Sequence, residues 1–146
     1  MNIRDAGPTD EAAWRELWAA YLAFYEVELP EAQTALTWGR IMGDGPMNLR
    51  LAEDGGQVIG FALWTHHPSS WAMAEDLYLE DLFVDPLARG KGLGRALIAD
   101  LFDLARQRGY SRIWWMTEEG NAQARKLYDT MSEYDGHIRY RTRLAP

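Results

Sequence analysis

Short runs in which hydrophobic and polar residues alternate predict the strands of a β-sheet. Most of them are bounded by glycine, proline, asparagine or aspartate, the residues that favour turns. The predicted strands cover residues 2–6, 47–53, 57–66, 77–84, 111–116 and 137–144. Asp54-Gly55-Gly56 is a turn sequence, so the second and third strands form an antiparallel hairpin.

Hydrophobic residues at three- and four-residue spacing predict α-helices between these strands. The first helix begins at Thr9 or Asp10 as its N-cap and ends before Pro30. One face of it is aromatic, and we expect most of that face in the core. The face consists of Trp14, Trp18, Tyr21, Leu22 and Tyr25. Further helices are predicted over residues 31–42, 92–108 and 121–130. Gly109 caps the third helix, and Asn121 is the N-cap of the fourth.

The order of these elements predicts an α/β fold with a mixed, mostly antiparallel sheet and helices on both faces. Antiparallel hairpins come first along the chain. Strand 77–84, helix 92–108 and strand 111–116 then form a crossover, which makes the two strands parallel. We expect a single domain over residues 1–146.

Composition excludes several classes of protein. The net charge of −7 disfavours nucleic acid as a partner and suits a cationic amine. The 146 residues contain no cysteine, which rules out a cysteine nucleophile and thiolate metal ligands. His66-His67 has no evident third ligand, so no metal site is expected. No long apolar run or signal peptide is present, and we expect a cytoplasmic protein without a membrane span.

A glycine-rich, basic loop follows strand 77–84 and leads into the longest helix. It reads RGKGLGRA over residues 89–96. Backbone N–H groups at a helix start attract anions, and glycines allow a phosphate to approach closely. The Walker pattern fails because Lys91 is followed by Gly92, and the dinucleotide fingerprint fails in its glycine spacing. The spacing that remains is Arg-x-x-Gly-x-Gly, formed by Arg89, Gly92 and Gly94.

This loop and its flanks resemble the GCN5-related N-acetyltransferase (GNAT) family across nearly the whole chain. The strand YLEDLFV (78–84) is similar to that of the spermidine/spermine acetyltransferases and of a microbial branch that acetylates histones and polyamines. The segment NAQARKLY (121–128) matches the family's Asn-x-x-Ala-x-x-x-Tyr helix. One departure is Gly136-His137, because the family often has Gly-Phe soon after that helix.

The resemblance implies a GNAT-like fold in which the two parallel strands splay apart, with acetyl-CoA as cofactor. The strand backbone would pair with the pantetheine arm, and the loop would hold the diphosphate. The implied cofactor-binding residues are Leu82, Phe83, Val84, Arg89, Gly90, Lys91, Gly92, Leu93, Gly94, Arg95, Asn121 and Ala124. An alternative for the loop is a capping turn that binds no ligand.

Two residues are candidates for acid–base chemistry, because an aliphatic amine is mostly protonated at neutral pH and must lose a proton before it is acylated. Glu80 is the candidate base, since the spermidine/spermine enzymes carry a functional glutamate at the matching position. Strand alternation puts Glu80 on one face with Tyr78, and Asp81 on the other with Leu79. Asp81 is expected to be structural. Tyr128 is the candidate acid; the alternatives are a structural carboxylate and a packing tyrosine.

The acceptor is predicted to be a primary amine, either a polyamine-like small molecule or a lysine side chain. Tyr25, Glu26 and Glu28 would bind it, because an aromatic ring beside carboxylates suits a cation. Without a cysteine, we expect direct transfer in a ternary complex. The open alternatives are a non-catalytic acyl-CoA sensor and an acyltransferase for a larger acyl group. A homodimer is the expected assembly, with the arginines of strand 137–144 either solvated or in that contact.

Overall fold

A computed structural model describes residues 1–145, which divide into two compact units, residues 1–115 and residues 116–145. The first unit contains a five-stranded sheet in the order β1-β2-β3-β4-β5. The strands are β1 (Asn2–Asp5), β2 (Met47–Asp54), β3 (Gln57–His67), β4 (Asp76–Val84) and β5 (Arg112–Trp115). The helices of this unit are α1 (Glu11–Phe24), α2 (Glu31–Met42) and α3 (Leu93–Gln107). Short 3-10 helices lie at Pro8–Asp10 and Pro86–Ala88.

The sheet is mixed, as the sequence predicts. Neighbouring strands from β1 to β4 pair antiparallel, and β4 pairs with β5 in parallel. The parallel pair follows from the crossover through α3, because a strand that returns after one helix runs in the same direction as the strand it left.

Helices α1 and α2 cover one face of the sheet with aromatic side chains. Trp14, Trp18 and Trp38 stack with ring centroids 5.3 and 5.5 Å apart, and all three are buried. They pack with Phe61 and Leu51 from the sheet. The spacing of the α1 aromatic face therefore predicts its burial correctly at Trp14 and Trp18, where an indole contributes a large apolar area.

Helix α3 covers the opposite face. Leucines at three- and four-residue spacing line its buried face, at Leu93, Leu97, Leu101 and Leu104. Arg50 of β2 fixes the helix to the sheet, because its guanidinium donates two hydrogen bonds, of 2.7 and 2.8 Å, to the Asp100 carboxylate. Gly109 follows the helix with φ +73°, the left-handed cap that the sequence predicts.

The second unit contains one helix, α4 (Ala122–Tyr128), with Asn121 as its N-cap. The predicted strand over residues 137–144 is wrong, because residues 116–145 contain no strand. Alternation defines a strand only where another strand supplies hydrogen bonds, and this unit has none to offer. Ile138 and Tyr140, the apolar members of the pattern, are exposed.

No helix within the described residues 1–145 is both long enough and apolar enough to span a bilayer.

Gly60 of β3 lies where the sheet and helix α3 are closely packed. A Cβ built on it lies 3.0 Å from the Phe83 carbonyl oxygen and 3.5 Å from the Leu97 side chain. We therefore expect Gly60→Ala to lower the free energy of unfolding by about 1–3 kcal/mol, measured by urea denaturation. Gly39→Ala is the matched control, because a Cβ in that helix meets no atom within 4 Å and should stabilise by about 0.5–1 kcal/mol. Equal effects at both sites would contradict the close contact.

Candidate active site

Strand β4 loses its parallel neighbour halfway along its length. The pairing with β5 runs from Asp76 with Arg112 to Leu79 with Trp115 and then ends. Residues 81–84 stay paired with β3 on the other side. Because peptide groups on a strand edge need hydrogen-bond partners, this stretch is suited to an extended ligand rich in amides. The pairing of the two parallel strands thus ends with Leu79 and Trp115.

A β-bulge lies at the same point. On β3, Leu63 faces Asp81 and the next residue, Trp64, faces Leu79, so Glu80 is the extra residue of β4. The bulge reverses the alternation, and Asp81 lies on the α1 face with Phe83 while Leu79 lies on the α3 face. The prediction that Leu79 and Asp81 share a face is therefore wrong.

Glu80 and Asp81 occupy different environments although they are adjacent. Glu80 is exposed, whereas Asp81 is half-buried and its Oδ1 accepts a hydrogen bond of 2.7 Å from the Tyr21 hydroxyl of α1. Burial and the nearby charge of Glu80 raise the pKa of Asp81 to about 6, and the bond from Tyr21 opposes that rise. Burial and the Asp81 carboxylate likewise raise the pKa of Tyr21.

The contact between Tyr21 and Asp81 is not predicted by the sequence pattern. Asp81 was expected to be structural, and its carboxylate accepts a hydrogen bond from a phenol on helix α1. The available signals were a tyrosine near the end of an aromatic helix face and two adjacent carboxylates in an apolar strand. Neither signal specifies the bulge that brings the groups together.

The loop after β4 has the backbone conformation expected of an anion-binding turn. Gly90 and Gly92 have φ of +82° and +76°, and Gly92 is the N-cap of α3. A Cβ on either glycine meets no atom within 4 Å, so there is open space beside the loop backbone. The first turn of α3 directs backbone N–H groups out of the helix end, where they attract negative charge.

The side chains of the loop differ in their surroundings. Lys91 and Arg95 are exposed, whereas Leu93 packs into the core, so only its backbone can meet a ligand. Gly94 is the second residue of α3. Arg89 donates from Nε to the Val84 carbonyl oxygen at 3.1 Å, and its guanidinium carbon lies 5.4 Å from the centroid of the Phe83 ring. Arg89 thus ties the loop to the end of β4.

The predicted acceptor residues lie at and beyond the end of α1. The helix ends at Phe24, one residue before Tyr25, whose ring contacts that of Tyr21 at 5.0 Å. Glu26 has φ +54°, a left-handed conformation uncommon outside glycine. Tyr25, Glu26 and Glu28 are all exposed. Their side chains are therefore accessible to a solute, as a binding role requires.

Helix α4 presents the remaining predicted residues. Asn121 caps it by accepting a hydrogen bond of 3.2 Å from the Ala124 N–H. Tyr128, two turns later, is the last residue of the helix. The helix that carries the family pattern is therefore confirmed.

No cluster of three or more metal-ligating side chains occurs within residues 1–145. His66 instead places Nδ1 2.7 Å from a carboxylate oxygen of Glu75.

Comparison with known proteins identifies the class of protein that carries this sheet, bulge and loop. The solved structure of AAC(6')-Iy in complex with the bisubstrate analogue CoA-S-monomethyl-acetylneamine superposes with a TM-score of 0.82 at 23% identity, covering 97% of each chain. It shares the fold. Residues 11–132 match the acetyltransferase (GNAT) family.

Two relatives are similar in sequence. The D-amino-acid N-acetyltransferase of Saccharomyces cerevisiae is 34% identical over 143 residues, which cover 95% of this chain and 88% of the relative. The thialysine N-epsilon-acetyltransferase of Caenorhabditis elegans is 36% identical over 77 residues, covering 53% of this chain and 48% of the relative. The chain belongs to the GNAT acetyltransferase family, whose members use acetyl-CoA, and it is an enzyme of the N-acetyltransferase type.

The shifted pKa of Asp81 predicts a pH-dependent contribution to stability. Its folded pKa of about 6 exceeds the ordinary 3.8, so the native state holds the proton more tightly. Stability from this group is therefore present below pH 4 and is lost as pH rises towards 6, by roughly 1–3 kcal/mol after allowance for partial solvation. Asp81→Asn removes the titration. Its unfolding free energy relative to wild type should rise by that amount between pH 4 and pH 7 in urea denaturation; a constant difference would contradict the raised pKa.

Proposed function

We propose that this protein transfers the acetyl group of acetyl-CoA to a primary amine by direct attack in a ternary complex. The observation that carries the proposal is the free edge of β4 beyond Leu79, which leads directly into the glycine loop and the start of α3. Acetyl-CoA has an extended arm with amides and, beyond it, a diphosphate. The strand edge and the glycine loop follow each other along the chain in the same order.

The residues of β4 and the loop are suited to hold acetyl-CoA through their backbone. We assign the backbone of Leu82, Phe83 and Val84 to the pantetheine arm, because the buried Phe83 side chain is unavailable to a ligand. We assign the diphosphate to the backbone from Gly90 to Gly94, with Arg89, Lys91 and Arg95 adding positive charge. The open space beside Gly90 and Gly92 supports this fit. Asn121 and Ala124 are assigned to the cofactor by the family pattern.

Glu80 is proposed as the base. Bound acetyl-CoA supplies an acyl group activated as a thioester, and the protein must supply a neutral amine to meet it. Glu80 is exposed and follows directly after the last β4 residue that pairs with β5, so we propose that its carboxylate takes a proton from an incoming ammonium group directly or through water. We propose the Tyr128 hydroxyl as the acid that supplies a proton to the departing sulfur, on the family pattern of α4.

Direct transfer is supported by the composition of the chain. A covalent acyl-enzyme in such a reaction usually needs a nucleophile such as cysteine, and the 146 residues contain none. The amine itself is then the attacking group.

We propose that the acceptor is a protonated, cationic amine before it reacts. Tyr25, Glu26 and Glu28 are exposed at the end of α1, and the chain carries a net charge of −7. A polyamine-like molecule or a lysine side chain suits carboxylates beside an aromatic ring. The relatives are named for a D-amino acid and for the ε-nitrogen of thialysine, so amino acids and lysine analogues belong in the same test.

An amine screen with acetyl-CoA tests the activity through release of free thiol. We expect turnover with diamines, polyamines or lysine analogues. Glu80→Gln should lower kcat about 100-fold and flatten its rise with pH, because general-base catalysis contributes roughly 10²–10⁴. Glu11→Gln is the matched control, since Glu11 pairs with Arg15 at the surface of α1 and should leave turnover unchanged.

The same screen separates the alternatives. CoA binding without turnover on any amine would favour a sensor, and faster turnover with a longer acyl-CoA would favour a different acyl group. An unchanged pH profile in Glu80→Gln would remove Glu80 as the base.

The loop assignment predicts weaker cofactor binding when Gly92 is replaced. Gly92→Ala puts a side chain where φ is +76° and where the diphosphate is expected, so CoA affinity in isothermal titration should fall about tenfold. Gly109→Ala is the matched control, because it imposes a similar backbone strain at φ +73° beyond the far end of the same helix. Both variants should lose about 1–2 kcal/mol of stability, but only Gly92→Ala should lose affinity. Equal CoA affinities would refute the loop assignment.

A further inference from the structure

A second carboxylate lies beside the proposed base, and the acetyl-transfer scheme above gives it no role. Asp81 follows Glu80 directly, and the Tyr21 hydroxyl of α1 holds its Oδ1 at 2.7 Å. That length is typical of a hydrogen bond from a hydroxyl to an ionised carboxylate. A half-buried charge held by one strong donor is expensive to maintain unless it serves the site.

The bulge explains why the two carboxylates interact. In a regular strand, neighbouring side chains point to opposite faces, and the sheet would separate them. Here Glu80 is the residue inserted between the two registers of β3 and β4. Its charge acts on both Asp81 and Tyr21, which lie on the α1 face.

Tyr21 is itself held firmly. Its ring contacts those of Trp18, Phe61 and Phe83 at centroid distances of 5.4, 5.9 and 5.8 Å. These contacts hold the Tyr21 ring and so fix the position of its hydroxyl oxygen. The position of the Asp81 carboxylate therefore depends on the aromatic core through this hydrogen bond.

We propose that Glu80 and Asp81 act as a coupled carboxylate pair, in which Asp81 is a positioning residue that Tyr21 holds and whose negative charge makes Glu80 a stronger base. The proposal rests on the acetyl-transfer function above and on Glu80 as its base. Like charges held close together compete to remain ionised, so a proton that reaches the pair is bound more tightly than by one carboxylate alone.

The groups that face Asp81 support this coupling. Helix α1 contributes Tyr21 and, beyond it, Tyr25; β3 contributes the apolar Leu63 opposite Asp81; β4 contributes Glu80. Arg89 lies on the same face, over the Phe83 ring. The charge of Glu80 adds to burial in raising the pKa of Asp81 to about 6.

The proton balance is simple. Above the upper pKa of the pair both carboxylates are ionised. The ammonium group of the acceptor gives one proton to Glu80 and becomes a neutral amine. The pair then holds one proton and one negative charge. When the amide forms, the nitrogen loses a second proton, which replaces the proton that the Tyr128 hydroxyl has given to the sulfur. The proton held by the pair leaves to solvent, so the products are the amide, the free thiol and one proton.

Activity should rise with pH as the carboxylate pair ionises, and we call this rising part of the profile of kcat against pH the acid limb. Two substitutions should move the acid limb in opposite directions. Asp81→Asn removes the like charge next to Glu80, so the limb should move down by roughly 1.5 pH units, with a plateau lower by on the order of fivefold. Tyr21→Phe removes the donor that stabilises ionised Asp81, so the limb should move up by about one pH unit. Tyr110→Phe removes a phenol hydroxyl beside His66 and should leave the limb in place.

Initial rates of thiol release from pH 5 to 9, at saturating acetyl-CoA and the best amine of the screen, measure these limbs. Opposite shifts establish the pair, because loss of stability alone cannot move a limb in two directions. Lower rates with unmoved limbs would overturn the pair and leave the acetyl-transfer function intact. Absence of thiol release from the wild-type protein with every amine would instead overturn the proposed function, and the pair with it.

Discussion

The candidate site of this enzyme depends on the hydrogen bonding of β4, which differs between the two sides of the strand. The strand pairs with β3 on both sides of Glu80, but it pairs with β5 only as far as Leu79. The bulge at Glu80 occurs at this point, where one neighbour is lost and the other is kept in a new register. Peptide groups are thereby left along one edge, and the side chains beyond the bulge are turned towards α1. The features of the candidate site on β4 follow from this single irregularity.

The aromatic core on the α1 face gives that irregularity a fixed geometry. Trp14, Trp18 and Phe61 are buried beneath Tyr21, whose hydroxyl reaches Asp81. A core of this kind tolerates little displacement, because closely packed rings lose contact energy when they separate. The position of a polar group near the site is therefore determined by apolar packing several residues away along α1. This link between the core and the site is the reason that we expect a substitution of Tyr21 to change the pH dependence of acetyl transfer and not only stability.

Local patterns predicted most of the fold and only part of the site. Helix 31–42 agrees with its prediction at both ends, and the buried stripe of α3 was evident in its leucine spacing. These features depend on periodicity and on Pro or Gly at the boundaries, which single segments contain. The strand over 137–144 failed because alternation cannot reveal whether a partner strand exists. The bulge at Glu80 was not predicted for a related reason. Register is a property of two paired strands, and the sequence of one strand does not specify it. The roles of Glu80, Tyr128 and the loop residues stay predictions from the family pattern.

The free edge of β4 has a consequence for how copies of this protein behave towards one another. An edge that is open to a ligand is equally open to the same edge of another molecule, which is how aggregation by strand pairing begins. Glu80 and Asp81 lie at the start of that edge, so two copies that paired there would bring like charges together. Near neutral pH Asp81 is mostly ionised, since its pKa is about 6. The carboxylate pair that we assign to the acetyl-transfer site would therefore also oppose strand pairing between two copies of this protein.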